Sequence, residues 1–331
     1  MAFIKALAYH LPDFVLSNEE LQKELPDVDV AKTSKAIGVE NRHIAAADET
    51  AGDLAVKAAE KLFAENNIDR NDIDFVLLCT QLPDYIIPST SCVVQDKLGI
   101  PTSAGAVGID LGCSGFVYGL MLADGLIASG AAKNVLLLTG DTPVKTIHPQ
   151  DVNRILFGEA ATACLVSTEG IAKIGKFDMG SDGSGAKHLI IKTGGARHPK
   201  ATGLSHVDAE GNICRDDYTY MNGGEIFNFS VERVPEMINN ILAKNNLAKD
   251  EVDYYVFHQA NKFMLNTIRK ITQIPKEKYH VDLTNTGNTS CNTVPVGLVQ
   301  AIESGKIAKG SRVMITGFGV GLSWAGTMLT F

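Results

Sequence analysis

The sequence lacks several features that mark particular classes of protein. It has no excess of positive charge, since 30 Lys and Arg stand against 38 Asp and Glu, a formal net charge of −8. A general nucleic-acid binder needs a basic surface, so this balance argues against that class. No apolar run approaches the ~20 residues that a transmembrane helix needs, and the first residues do not resemble a signal peptide. We therefore expect a cytoplasmic protein without membrane insertion.

The six cysteines also lack a pairing pattern. No two are spaced as CxxC, which argues against a zinc site and against a redox pair. Several lie in apolar runs, as buried thiols do in a reducing compartment. Cys113 differs from the others because it stands among glycines in "DLGCSGFVYGL". It follows a predicted strand and precedes a segment with helical spacing of apolar residues.

Short apolar runs alternate with helical patterns along the 331 residues. A chain of this length usually exceeds one hydrophobic core, so we expect two domains or two fused halves. The runs show no apolar–polar alternation, which predicts strands buried on both faces and an α/β fold. Predicted strands cover residues 74–81, 105–110, 134–140, 254–260 and 312–319. Predicted helices cover residues 51–67, the segment after Cys113, 230–246 and 262–271. The Gly- and His-rich stretch 181–222 is predicted to be a long irregular excursion, and such loops are usually functional.

Two stretches of the chain resemble each other. "NNIDRNDIDFVLLCTQ" begins at residue 66 and "NNLAKDEVDYYVFHQA" at residue 245, and their polar and apolar positions match nearly throughout. A second pair of segments aligns Cys113 with Asn288. Such self-similarity predicts an internal duplication. We expect an N-terminal half, 1–169, that carries the cysteine and a C-terminal half, 170–331, that carries His258 and Asn288.

Three polar residues occupy corresponding places in these halves. Cys113 and Asn288 stand at equivalent helix starts, and His258 ends a strand whose counterpart carries Cys79. The positive end of a helix is expected to lower the pKa of Cys113. Taken singly, each residue has a plainer interpretation: a packing cysteine, a hydrogen-bonded core histidine and a turn or N-cap asparagine. Their symmetry favours a shared site between the halves.

The segment "GFGVGLSW", residues 317–324, places glycines inside a predicted strand. Glycines in such a position suggest a close approach of the backbone to a ligand. The functional interpretation is a backbone N–H group directed at an oxyanion, and the alternative is a bulge or tight turn.

The motifs "DLGCSGF", "HQAN", "GNTS" and "GFGVGLSW" occur in this order, with "PSTSCVVQDKLGI", "RHIAAADET" and "SDGSGAKHLIIKTGG" as further matches. In this combination the chain resembles the type III β-ketoacyl-acyl-carrier-protein synthases of the thiolase superfamily over nearly its whole length. The resemblance implies a five-layered αβαβα fold of two similar halves, a homodimer, and a catalytic triad of Cys113, His258 and Asn288.

The resemblance also implies a reaction, a decarboxylative Claisen condensation in ping-pong order. Cys113 would take an acyl group from acyl-CoA or an acyl carrier protein. His258 and Asn288 would then stabilise the enolate formed from malonyl-acyl carrier protein. The product would be a β-ketoacyl thioester for fatty acid or related acyl-chain synthesis. No cofactor and no metal are implied.

Further residues receive roles from the same resemblance. The oxyanion hole would consist of the backbone N–H groups of Cys113, Gly319, Val320 and Gly321. The acyl pocket would include Phe157, Phe318 and Ile87, the last expected near the pocket of the partner subunit. Contacts with CoA or the carrier protein would come from Lys32, Asn228, Lys262, Arg269 and Lys270. Three of these basic residues share one predicted helix face, which would suit an acidic carrier protein, although an ordinary solvated face is an equal alternative.

The chain departs from the family where CoA is commonly held. The family commonly has a tryptophan and an arginine before "RHIAA", and this chain has Lys32 and Ala36 at the corresponding positions. The family often has an arginine five residues after the catalytic histidine, and this chain has Phe263 there. We therefore expect acetyl-CoA to be a poor donor, and a carrier-bound or longer acyl group to be preferred.

Two other functions stay open from the sequence. An acyltransferase or thioester hydrolase would use the same triad without condensation, and a non-catalytic subunit of a synthase would need no triad. Thiolases carry a second cysteine in the C-terminal glycine loop, which "GFGVGLSW" lacks. Its absence favours decarboxylative condensation.

Overall fold

A computed structural model of the protein describes residues 1–207 and 213–331. The strands of this part of the chain are β1 (Phe3–His10), β2 (Phe14–Ser17), β3 (Asn41–Ile44), β4 (Phe75–Cys79), β5 (Gly105–Ile109), β6 (Asn134–Asp141), β7 (Ala160–Ser167), β8 (Ala172–Ile174), β9 (Asp178–Ser181), β10 (Leu189–Ile190), β11 (Ser205–Val207), β12 (Ile213–Arg215), β13 (Tyr220–Met221), β14 (Tyr254–Phe257), β15 (Arg312–Gly319) and β16 (Ser323–Thr330). The helices are α1 (Asn18–Glu24), α2 (Val30–Ile37), α3 (Ala51–Asn66), α4 (Thr90–Lys97), α5 (Gly115–Ala128), α6 (Gly223–Asn245), α7 (Lys262–Ile271) and α8 (Thr293–Glu303).

Ten strands form one hydrogen-bonded sheet in which a pairing pattern occurs twice. Its order is β14-β15-β16-β8-β1-β7-β6-β4-β5, and β9 pairs with β16. In the first half, β4 is parallel to β6 and β6 is antiparallel to β7. In the second half, β14 is parallel to β15 and β15 is antiparallel to β16. This repetition is the duplication that the sequence predicts, while the boundary at residues 169 and 170, between β7 and β8, stays a prediction.

Two helices lie in the middle of the molecule. α5 contacts β4, β6 and β7 of the first half as well as β15 and β16, and α8 contacts β1, β7, β14 and β15. Their apolar side chains, such as Phe116 and Leu298, belong to one buried core shared with both sets of strands. Two further cores place α3 and α4 outside the first half and α6 and α7 outside the second. The resulting layer order, αβαβα, confirms the predicted fold.

The outer helices of the two halves end in the same way. Both α3 and α6 stop at an asparagine in the left-handed conformation, Asn67 and Asn246, each with φ of 54°. Asparagine tolerates this conformation better than most residues. These are the second asparagines of the two "NN" pairs from which the duplication was recognised, so the repeated sequence directs the chain from each outer helix towards its strand.

The structure corrects the predicted start of α6 and the end of β14. α6 begins at Gly223 rather than at residue 230, because the Asn222 side chain caps it by accepting a 3.0 Å hydrogen bond from the Glu225 N–H. β14 ends at Phe257 rather than at residue 260, because the chain turns there and the Ala260 N–H donates to the His258 carbonyl over 2.9 Å. His258 therefore follows the strand instead of lying within it.

Two other expectations change. β5 is not buried on both faces, since it is the last strand of the sheet and Val107 on it is 48% exposed. The excursion 181–222 is less irregular than predicted, because it contains the short pairs β10–β13 and β11–β12. Residues 208–212 of this excursion lie outside the described residues. In the remainder of the chain, none of the helices has the length and apolarity to cross a membrane.

Candidate active site

Cys113 lies in the turn between β5 and α5, directly before Ser114, the N-cap of α5. Two glycines of β15 bring the backbone against this turn. A Cβ atom on Gly317 would lie 2.5 Å from the Cys113 carbonyl oxygen, and one on Gly319 would lie 2.7 Å from the Cys113 Sγ. Side chains at these two positions would collide with the cysteine, so the glycines let β15 pack directly on it.

Backbone donors surround the sulfur. The backbone N–H groups of Val320 and of Cys113 itself lie close enough to the Cys113 sulfur to favour its thiolate form. The Ser323 hydroxyl donates to the Val320 carbonyl over 2.8 Å and lies 2.7 Å from the hydroxyl of Ser114. This hydroxyl pair ties the glycine loop to the start of α5, which fixes the Val320 peptide relative to the sulfur. Two preorganised N–H groups beside a nucleophile are suited to hold an oxyanion.

The pKa of Cys113 is not lowered as the sequence suggested. Burial raises its pKa to about 12, the Asp141 carboxyl adds to the increase, and the two N–H groups act in the opposite direction. The prediction from the helix start is wrong because the loss of water around a thiolate outweighs the effect of the two N–H groups. At neutral pH the raised pKa favours the thiol form of Cys113.

His258 follows β14 and is 2% exposed. Burial lowers its pKa to about 3, so the imidazole is neutral. Its Nδ1 lies 2.7 Å from the Thr293 hydroxyl, and its ring meets Phe318 edge-on at 5.6 Å between centroids. These contacts hold the ring in one orientation, with Nε2 as the nitrogen left to face the open side.

The rest of the "HQAN" motif has structural roles. The Gln259 side chain donates to the Phe257 carbonyl over 2.6 Å and accepts from the Asp282 N–H over 3.0 Å. The Asn261 side chain caps α7 by accepting a 2.8 Å hydrogen bond from the Met264 N–H. The motif therefore closes the turn after β14 and starts the next helix.

Asn288 is oriented by its neighbours in "GNTS". Its Oδ1 accepts a 2.9 Å hydrogen bond from the Ser290 N–H, and its Nδ2 donates to the Ala260 carbonyl over 3.3 Å. Gly287 before it has φ of +65°, and a Cβ there would lie 2.7 Å from the Leu156 carbonyl oxygen. With its oxygen occupied, Asn288 has one N–H left to offer to a ligand.

The three residues meet in one cavity. The cavity has a volume of about 300 Å³, and its walls include Cys113, His258 and Asn288. Of the other predicted site residues, Gly319, Val320, Phe157 and Phe318 also line it. Part of the wall comes from the β10–β13 pair, through apolar residues such as Ile190 and Met221. The excursion 181–222 therefore contributes to the site.

The other predicted site residues lie elsewhere. Gly321, with φ of +133°, is next to the cavity loop but does not line the cavity. Ile87 is 85% exposed on the surface of this chain. The predicted carrier or CoA contacts are not in the cavity either: Lys32, Asn228, Lys262 and Lys270 are exposed, and Arg269 is half-buried.

Some of these contact residues are nevertheless close to the cavity. Lys262 follows the cavity residue Asn261 and packs against Gly38 at the end of α2, where an added Cβ would lie 2.7 Å from the Lys262 Cβ. Arg269 directs its guanidinium to the Ile274 carbonyl over 3.2 Å. Phe263 is 61% exposed and stacks on Phe227 with 5.5 Å between ring centroids. An aromatic pair thus occupies the position at which the sequence comparison with the family predicts an arginine.

Sequence reasoning did not single out two buried carboxyls. Asp141, at the end of β6, lines the cavity, and burial raises its pKa to about 6 against hydrogen bonds from Ser290, Gln81 and Thr80. Glu159 accepts backbone N–H bonds from Ala45 over 2.6 Å and Val144 over 3.1 Å, and burial raises its pKa to about 7. The signal for Asp141 was its place directly after the apolar run "NVLLLTG".

Three comparisons connect this geometry to known proteins. The family model described as 3-oxoacyl-[acyl-carrier-protein] synthase III matches residues 108–183, and the model of the C-terminal part of that synthase matches residues 242–331. A β-ketoacyl-[acyl-carrier-protein] synthase III of Clostridium perfringens is 36% identical over 322 residues, with 97% of this chain and 96% of that one covered. One from Geobacillus kaustophilus is 33% identical, with 99% and 98% covered.

The chain belongs to the 3-oxoacyl-acyl-carrier-protein synthase III family.

Solved structures of this family have the same fold. A 2.1 Å crystal structure of a 3-oxoacyl-(acyl-carrier-protein) synthase III matches with a TM-score of 0.97 and 46% identity, with 100% of this chain and 99% of that chain covered. The priming β-ketosynthase of the R1128 polyketide pathway matches with a TM-score of 0.88 and 25% identity, with 100% and 96% covered. Membership confirms the predicted family, its thiolase-like fold and an acyltransferase of the condensing type.

Proposed function

We propose that Cys113, His258 and Asn288 condense an acyl thioester with a malonyl thioester held on an acyl carrier protein, and release carbon dioxide and a β-ketoacyl thioester. The observation that carries the proposal is their meeting in one cavity, with backbone donors beside the sulfur and neutral side-chain donors opposite. The relatives' names refer to the same carrier and the same class of product.

In the first half-reaction the Cys113 sulfur attacks the carbonyl carbon of the acyl thioester. The carbonyl oxygen becomes an oxyanion, for which the N–H groups of Val320 and Cys113 are the available donors. The carbon–sulfur bond to the carrier breaks, and the Cys113 proton ends on the departing thiol. The balance is one thioester exchanged for another, which needs no metal or redox group.

In the second half-reaction the malonyl group loses carbon dioxide and leaves an enolate. Asn288 offers an N–H because its oxygen is occupied by Ser290. Neutral His258 can offer a second N–H if its proton is on the cavity side. The enolate carbon then attacks the acyl group on Cys113, the bond to the Cys113 sulfur breaks, and the released thiolate takes up a proton from water. Because the pKa of His258 is lowered to about 3, this side chain suits a hydrogen-bond donor better than a base that stores a proton.

The proposal includes a homodimer joined at the edge of the sheet. β5 is the edge strand, with Val107 48% exposed, and the segment before α4 exposes Tyr85, Ile86 and Ile87 at 58%, 92% and 85%. Exposed edge strands and apolar patches of this kind are typical interaction surfaces. Ile87 would then reach the partner's acyl pocket. A monomeric mass by light scattering at micromolar concentration would contradict this assembly.

The same proposal covers the carrier, the location and the two halves. An acidic carrier protein would dock near Lys262 and Lys270 on α7, beside the cavity residue Asn261. A cytoplasmic location is supported by cysteines that are free thiols, such as Cys79, Cys92, Cys164 and Cys291. Residues 1–169 would supply the nucleophile and residues 170–331 the two donors.

Intact-mass measurement tests the function directly. The protein is incubated with acyl-CoAs and acyl-carrier proteins of several chain lengths, and malonyl-carrier protein is then added. We expect an acyl adduct that disappears as a β-ketoacyl product and carbon dioxide form. Free acid without condensation would indicate a hydrolase, and no adduct from any donor would indicate a non-catalytic subunit.

A further inference from the structure

The His258 ring contacts a residue that the proposed mechanism does not use. A neutral imidazole carries one proton, on Nδ1 or on Nε2, and the partner of the other nitrogen decides which. The partner of Nδ1 is the Thr293 hydroxyl at 2.7 Å. Thr293 is the first residue of α8 and is 3% exposed, so water does not compete for this bond.

The Thr293 hydroxyl has two candidate acceptors for its single proton. One is Nδ1 of His258 at 2.7 Å, and the other is the Ser290 carbonyl at 3.2 Å. The Ser290 carbonyl already accepts the backbone N–H of Thr293. Nδ1 has no other donor in residues 1–207 and 213–331, and it is the nearer atom. The shorter distance and the Ser290 carbonyl already paired with the Thr293 N–H favour Nδ1 as the acceptor of the hydroxyl proton.

We propose that Thr293 is a positioning residue that donates its hydroxyl proton to Nδ1 of His258 and thereby keeps the imidazole proton on Nε2, facing the cavity. The assignment makes His258 a donor rather than an acceptor towards a bound thioester. Only the use of this donor rests on the proposed function, because the position of the proton is a property of the protein without substrate.

A shared turn links this assignment to Asn288. The N–H of Ser290 holds the Asn288 oxygen at 2.9 Å, and the Ser290 carbonyl lies 3.2 Å from the Thr293 hydroxyl. Ser290 takes a left-handed conformation, with φ of 57°. The "GNTS" turn and the start of α8 therefore direct one N–H from Asn288 and one from His258 into the same cavity.

The first measurement is the position of the proton. In protein labelled with ¹⁵N-histidine, the His258 signals are assigned by their loss in His258→Asn. We expect a protonated Nε2 and an unprotonated, hydrogen-bonded Nδ1 in the wild type. A wild-type spectrum with the proton on Nδ1 overturns the proposal, whatever the activity of the enzyme.

The second measurement separates the two half-reactions. Thr293→Val keeps the shape but removes the hydroxyl, and we expect malonyl decarboxylation to fall roughly 10- to 100-fold, the effect of losing one hydrogen bond to a buried group. Acylation of Cys113 should stay within about threefold, and Thr293→Ser should restore decarboxylation. Equal losses in both half-reactions, or no rescue by serine, would show a merely structural role and overturn the proposal.

Thr316→Val is the matched control. Thr316 is a fully buried threonine on β15, its carbonyl accepts the His258 N–H over 2.7 Å, and its hydroxyl has no partner among the residues that the structure describes. Removing this hydroxyl should leave the His258 spectrum and both half-reactions unchanged.

If Thr293→Val fails to fold, the wild-type spectrum and the Thr293→Ser variant still decide whether the proposal holds. A wild type that shows Nε2–H yet makes no β-ketoacyl product supports the proton assignment and contradicts the proposed function.

Discussion

The starts of α5 and α8 are equivalent places in the two halves, and they carry opposite chemistry. Cys113 before α5 is a thiol surrounded by backbone N–H groups, with its pKa raised to about 12. Asn288, near the start of α8, is an amide whose oxygen is already occupied. The duplicated fold places both positions on one cavity. In the proposed function, the different residues at them would separate a nucleophile from a pair of donors. The comparison leads to a prediction that each half would serve one half-reaction.

The largest effect should come from removing the nucleophile. Cys113→Ala should take up no acyl group and should abolish condensation, because Cys113 lines the cavity and has the Val320 N–H beside its sulfur. Intact mass and peptide mapping measure the adduct. Cys92→Ala is the control, since Cys92 is an exposed free thiol, and it should be acylated like the wild type. An acyl label on any cysteine other than Cys113 would refute the assignment.

The next prediction tests the roles of His258 and Asn288 in the second half-reaction. Their replacement by alanine should each reduce malonyl decarboxylation on the order of 100- to 1000-fold, the usual cost of one oxyanion donor. Acylation of Cys113 should persist, because its donors belong to the backbone. Carbon dioxide release and adduct mass are measured on the same samples. Near-normal decarboxylation in both variants would contradict the hypothesis that the C-terminal half supplies the donors for the second half-reaction.

A smaller effect is expected at the backbone side of the nucleophile. Gly319→Ala would place a Cβ 2.7 Å from the Cys113 sulfur at a φ of +156°, so the loop must shift. We expect acylation to slow by roughly 10- to 100-fold, since misplacing a catalytic group by about 1 Å can cost that much. Gly125→Ala on α5 is the control, because an added Cβ there meets no atom within 4 Å. Normal acylation in Gly319→Ala would show that the loop donors are not needed.

The sequence predicted the skeleton of this site better than its electrostatics. The repeated "NN" segments and the pairing of Cys113 with Asn288 indicated two halves, because a duplication leaves a pattern in one dimension. The pKa of Cys113 was predicted in the wrong direction, because burial raises it and burial depends on packing by β15, which is distant in sequence. The sequence did not indicate roles for Thr293 and Asp141, because their roles depend on contacts that the fold creates. Thr293 contacts His258, and Asp141 contacts Ser290, Gln81 and Thr80.

The sequence likewise identified the motifs but not the role of each residue within them. "HQAN" and "GNTS" were recognised as units, yet only the contacts show that Gln259 and Asn261 build the turn while His258 faces the cavity. Ile87 and the basic residues of α7 lie outside the cavity of this chain. Their roles depend on a partner subunit or a carrier protein, so they stay predictions.

The smallest expected effect is on the choice of acyl donor, which depends on residues outside the cavity. Acetyl-CoA should acylate Cys113 more slowly than longer or carrier-bound acyl groups, because Lys32 cannot stack on an adenine as tryptophan does and Ala36 offers no charge. At the third of these positions Phe263, which is 61% exposed and stacked on Phe227, also offers no charge. Phe263→Arg should therefore lower the KM for acyl-CoA by about two- to fivefold without changing kcat, since an exposed charge pair contributes at most ~1 kcal/mol. Phe263→Gln, which removes the ring without adding charge, is the control and should not improve the KM. If acetyl-CoA is already the fastest donor at micromolar concentration, the three substituted positions do not set donor choice, and recognition must lie in the cavity itself.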